Sequence, residues 1–86
     1  MSLEPVCRIG DVGSHGGAVA TGSPSLSADG IAVARTSDIY DCAIHGPQAL
    51  IGSAIISAEG LAVVRIGDLA ACGSVMTAGS PTMNSQ

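Results

Sequence analysis

The stretch Gly22 to Asp38, GSPSLSADGIAVARTSD, returns thirty positions later as Gly52 to Asp68, GSAIISAEGLAVVRIGD. Each copy opens on Gly-Ser, reaches a turn pair, Asp29-Gly30 or Glu59-Gly60, and continues as an apolar run ending in Arg35 or Arg65. An acidic residue ending in Gly suits a two-residue hairpin turn, because Gly tolerates positive φ. Ile31 to Ala34 and Leu61 to Val64 are rich in β-branched and small apolar residues, as return strands require. The outward strands are expected to begin at Pro24 and Ala54. A third copy is divided between the chain ends: Gly79-Ser-Pro-Thr-Met83 is its outward arm and Glu4 to Asp11 its return arm. Pairing residues 80–84 with residues 4–8 would close three hairpins into a ring and protect their edges. The expected fold is a small all-β, pseudo-threefold body, a closed or pyramidal set of three β-hairpins that needs a pin beyond its thin core. Residues 1–86 form one domain in this reading.

Composition says why a pin is needed. The 86 residues include 12 Gly, no Trp, no Phe and a single aromatic, Tyr40. Ala, Val and Ile pack thin layers but cannot fill a thick core, and a domain of this size buries a limited share of its surface. The scattered glycines oppose any long helix. A net charge of −4 with three basic residues excludes a phosphate-binding face for nucleic acid. No apolar run is long enough for a spanning helix, so no stable membrane anchor is expected. The opening Met1-Ser-Leu-Glu-Pro5 has neither a basic nor an apolar signal region. Synthesis in the cytoplasm without a signal peptide is therefore expected, with Cys7, Cys42 and Cys72 reduced. Later export by a machine that needs no signal peptide is compatible with this.

The segments between hairpins carry the chemistry. His15 precedes Gly22 by seven positions, His45 precedes Gly52 by seven and Cys72 precedes Gly79 by seven. Each is followed by glycine: Gly16, Gly46 and Gly73. The middle segment is three residues longer, and Cys42 comes from that extra length. Threefold folding would bring His15, His45 and Cys72 to the axis, with Cys42 as the fourth ligand. Two thiolates and two imidazoles suit one tetrahedral Zn²⁺, and the sulfurs argue against Mg²⁺ or Ca²⁺. Spacing does not separate zinc from iron. Four protein ligands leave no open position, so the metal reads as structural. The bland alternative makes His15 and His45 loop residues and both cysteines small core fillers. A zinc hydrolase would require a lost ligand, such as His45, with Asp38 or Asp41 as base. Cys7 matches Ala34 and Val64 in phase and reads as a packed thiol. Arg8, Arg35 and Arg65, with Asp11, Asp38 and Asp68, read as turn caps and ion pairs. The glycine clusters lack the Lys-Ser/Thr ending of a phosphate cradle, and no Ser-His-acid spacing stands out.

Arg8-Ile-Gly-Asp11, Ser14-His15-Gly16-Gly17, Gly22-Ser-Pro24, Ala34-Arg35, Asp38, Cys42 with His45-Gly46, Gly52-Ser53, Val64-Arg65-Ile-Gly-Asp68, Cys72-Gly73 and Gly79-Ser-Pro81 together resemble the PAAR-repeat family. These proteins cap the spikes of type VI secretion systems and phage-like contractile machines. The resemblance implies a metal-pinned cone, with His15, Cys42, His45 and Cys72 on the metal positions and zinc as the ion. Members often use three histidines and one cysteine; Cys72 makes two of each here. It also implies a structural, non-enzymatic role on a trimeric β-helical spike protein, one cap per trimer, exported or injected with the machine. Many members carry toxin extensions; no such extension is expected here, and any toxin effector is expected on a separate chain. A free-standing zinc-binding adaptor is the competing reading.

Overall fold

The computed structural model describes residues 3–86; Met1 and Ser2, part of the expected single domain, lie outside the described residues. Ten short strands and no helix make up the described chain. Three hairpins sit where the repeat places them. β3 (Ser27–Ala28) pairs with β4 (Ile31–Ala32), and β7 (Ser57–Ala58) with β8 (Leu61–Ala62). β1 (Glu4–Pro5) pairs antiparallel with β10 (Asn84–Ser85), so the two arms of the divided copy meet and the ring closes. At the turns, Asp29 and Gly30 have φ of 55° and 78°, and Glu59 and Gly60 have 50° and 77°. Two positive φ values are the signature of a type I′ turn, whose twist matches the strands it joins.

The outward strands start later than Pro24. Ser23 Oγ accepts from the N–H groups of Ser25 and Leu26, and Ser80 Oγ does the same for Thr82 and Met83. A hydroxyl-capped bend thus takes the amides that an earlier strand would have used. The return strands leave their hairpins early as well, because they pair with one another. Cys7 N–H donates to Val64 O, Val64 N–H to Ala34 O, and Ala34 N–H to Cys7 O, at 2.8, 3.0 and 2.9 Å. The three backbones form a closed triangle about the pseudo-threefold axis.

Strand alternation sends neighbouring residues of this triangle to opposite layers. Val6, Val33 and Val63, all fully buried, pack with Ala28, Ala54 and Ala58 and with half-buried Leu26, Ile56 and Met83. Cys7, Ala34 and Val64, also fully buried, pack with Val19, Tyr40, Leu50, Ala70 and Met76. Each fully buried valine contributes about 1.5–3 kcal/mol of transfer free energy. At each corner an aspartate caps the turn. Asp11, Asp38 and Asp68 Oδ2 accept from the N–H of Arg8, Arg35 and Arg65, each at 2.8 Å.

The segments between hairpins are strands themselves. β2 (Gly17–Val19), β5 (Ile39–Cys42), β6 (Gly46–Ile51) and β9 (Leu69–Ala70) form one antiparallel sheet in the order β2-β5-β6-β9. Its hydrogen bonds correct the phase count. Val19, Leu50 and Met76 N–H donate to the carbonyls of Asp11, Asp38 and Asp68. The intervals are eight, twelve and eight positions, so the middle excursion is four residues longer, not three. The following arm is one residue shorter: Ala54 N–H takes the Val63 carbonyl where Ser23 and Ser80 take those of Val33 and Val6. The two changes partly cancel when counted from Gly52. In the true register Cys42 is the counterpart of His15 and Cys72, each four after its aspartate, and His45 is the added residue.

Candidate metal centre

His15 and Cys72 lie in matching tight turns. Gly16 N–H donates to Gly13 O at 3.0 Å, and Gly73 N–H to Ala70 O at 2.9 Å. Cys42 closes β5 opposite Gly46, and Ala43, Ile44 and His45 form the connection between them. Gly16, Gly46 and Gly73 have φ of 79°, 75° and 91°. Their task is the left-handed conformation, since a Cβ at Gly46 or Gly73 would meet nothing within 4 Å. Gly17, next in line, is where close approach matters: its Cβ would sit 1.9 Å from Asp41 O.

The four ligand atoms of His15, Cys42, His45 and Cys72 lie within 4.8 Å of one another. Cys42 Sγ is 3.7 Å from His15 Nδ1 and 3.5 Å from His45 Nδ1; Cys72 Sγ is 3.8 Å from His15 Nδ1. The two imidazole centroids are 5.3 Å apart. Cys42 is buried, His15 and Cys72 are half-buried and His45 is exposed. Among the described residues this is the one His/Cys/Asp/Glu group so arranged. All four residues singled out by spacing meet at one point, positioned so that they could hold a metal ion.

The electrostatics agree. Burial pushes the Cys42 thiol up, but the N–H groups of Ile44 and His45, then the imidazoles of His45 and His15, outweigh it and bring it from 9.0 down to about 6. A thiolate is the ligating form. Cys7 goes the other way: burial, then the charges of Asp11 and Asp68, push it up to about 12. Its thiol donates to Ala78 O at 3.3 Å, as a packed core group. Asp38, proposed as a base for a hydrolase, is occupied by Arg35 Nε at 2.8 Å and Thr21 Oγ1 at 2.9 Å. Asp41 is exposed on β5, outside the cluster.

One set of supporting residues has no sequence motif. Tyr40 and Ser74 are fully buried under the cluster. Ser74 Oγ accepts from His15 N–H at 3.2 Å and donates to Tyr40 Oη at 3.1 Å, and Tyr40 O–H donates to the Gly16 carbonyl. The signal available was Tyr40's status as the lone aromatic, two residues before Cys42.

Comparison with known proteins agrees with this arrangement. No curated protein gives a match. The family model for the PAAR motif matches residues 9–83, spanning the three corners, the sheet and all four cluster residues. With its helix-free ring of hairpins and its His/Cys cluster, the chain belongs to the PAAR-motif family of spike-tip proteins.

Proposed function

We propose that the protein caps the distal end of a trimeric β-helical spike, one copy per trimer, with a single zinc ion holding its apex. The observation that carries this reading is the closed triangle of return strands, with Val6, Val33 and Val63 on the layer away from the cluster. A pseudo-threefold base suits a true threefold end, because each corner can meet one spike chain and satisfy its exposed strand groups. Leu26, Ile56 and Met83 border that layer at equivalent positions and form the apolar part of the docking face.

The donor set supports zinc as the ion. Bonds of about 2.3 Å to sulfur and 2.0–2.1 Å to nitrogen at tetrahedral angles set sulfur and nitrogen roughly 3.6 Å apart. The three sulfur–nitrogen separations of 3.5–3.8 Å fit that shell. His15, Cys42, His45 and Cys72 would hold the ion, which would supply rigidity and no chemistry. A pinned point concentrates force when a contractile machine drives it into an envelope, together with any effector it carries. Co-expression with the cognate spike should yield a stable complex at one cap per three spike chains. A spike trimer that never retains the cap would favour the free-standing adaptor.

A further inference from the structure

Two residues after Asp11, Asp38 and Asp68 come Gly13, Tyr40 and Ala70, all buried. By the hydrogen-bond register they are equivalent positions, yet they hold the smallest residue, the sole aromatic and a methyl group. The phenol occupies space that symmetry would divide three ways. A Cβ on Gly13 would lie 2.6 Å from Ser74 Oγ and 2.8 Å from Tyr40 Oη. Gly13 is therefore bare to admit the phenol and its hydroxyl partner.

The hydroxyls form a directed chain: His15 N–H to Ser74 Oγ, Ser74 O–H to Tyr40 Oη, Tyr40 O–H to Gly16 C=O. It starts on the amide of one cluster residue and ends on the carbonyl of the next residue. It passes through Ser74, two residues after Cys72. Both members are fully buried, and every proton has an acceptor. Such a chain strengthens cooperatively and fixes one geometry. Ser14 adds a tie, donating its N–H to Val75 O and accepting the Val75 N–H.

From this we infer that Tyr40 and Ser74 are positioning residues for the metal: they lock the His15 and Cys72 turns in register before the ion arrives. The inference rests on the cluster being a metal site. Outer-shell partners of metal ligands are worth about 10–100-fold in affinity.

The test uses the full chain loaded with Co²⁺ as a spectroscopic probe, and Zn²⁺ in chelator competition. Tyr40→Phe and Ser74→Ala should load metal and fold, yet release it to chelator about 10–100-fold more readily, with altered cobalt ligand-field bands. The double variant should lose little more than either single one, because both break one chain. Val63→Ala, in the opposite layer, is the control: it should lower thermal stability and leave the cobalt spectrum unchanged. Variants with wild-type spectra, and with no more metal loss than Val63→Ala at equal loss of melting temperature, would overturn the inference. Should Tyr40→Phe fail to fold, Ser74→Ala decides by the same two outcomes. Wild-type protein that takes up neither ion overturns the metal reading as well, which distinguishes the two failures.

Discussion

Cys7 and Cys42 are both buried, and their surroundings give them opposite chemistry. Cys7 has burial and two carboxylates against its ionisation, whereas Cys42 has two amides and two imidazoles in favour of it. Cys42→Ala should abolish stoichiometric metal binding, measured by elemental analysis. Cys7→Ala should keep the metal and lose roughly 1–2 kcal/mol in thermal or denaturant unfolding. The loss is small because the equivalent position is already alanine, at Ala34. The glycines separate in the same way. Gly73→Ala meets no atom and costs only the left-handed strain, about 1–2 kcal/mol. Gly17→Ala places a methyl on the Asp41 carbonyl and should cost roughly 4 kcal/mol or more. Denaturant melts of the two variants would check the contrast.

Each hairpin is too short to stand alone, so the junctions between hairpins matter as much as the hairpins. Asp29, at one turn, accepts from Ser80 and Thr82 hydroxyls, both at 2.6 Å, and pairs with Arg8 at 3.2 Å. Glu59, at the next, accepts from Ser23 and Ser25 and pairs with Arg35 at 3.1 Å. At the third junction Arg65 finds the Ser85 carbonyl and Ser53 Oγ instead of a turn carboxylate. Ser80, then Thr82 and Arg8, hold the Asp29 carboxyl below its usual 3.8; Ser23, then Ser25 and Arg35, hold Glu59 below 4.5. Folded values below unfolded ones mean that ionisation stabilises the fold above those pH values. That support is lost as pH falls through the folded values. Acid should therefore begin to loosen the Glu59 junction below pH 4.5 and the Asp29 junction below pH 3.8. Ser80→Ala should move the Asp29 titration back toward 3.8, read by carboxyl carbon NMR; an unmoved midpoint would remove the Ser80 contribution.

Across the whole molecule, two thin layers flank one ring of backbone. Structural zinc sites contribute apparent binding energies of about 10–16 kcal/mol at neutral pH. Typical domains are stable by only about 5–15 kcal/mol. Chelation strong enough to strip the ion should therefore unfold the protein, seen as collapse of the far-UV dichroism, and restoring zinc should refold it. A metal-free chain that keeps its native spectrum would contradict the pin. Among the described residues there is no helix, so none is long and apolar enough to cross a membrane.

The sequence by itself determined the repeat, the two turns at Asp29-Gly30 and Glu59-Gly60, the closure of the ring by the chain ends and the four cluster residues. Those features depend on local chemistry: glycine where φ is positive, hydroxyl and carboxylate where turns need caps, sulfur and imidazole at recurring offsets. What only the tertiary structure decided was register and depth. An excursion longer by four residues and an arm shorter by one look like a single three-residue insertion when counted along the chain. Hydrogen bonds between distant strands separate them, and they make His45 the extra ligand in place of Cys42. The triangle of return strands was hidden for the same reason, since its bonds join residues from three separate copies. Tyr40 stayed silent because nothing within its own strand says that Gly13 and Ser74, from the other two excursions, leave room for its ring and meet its hydroxyl.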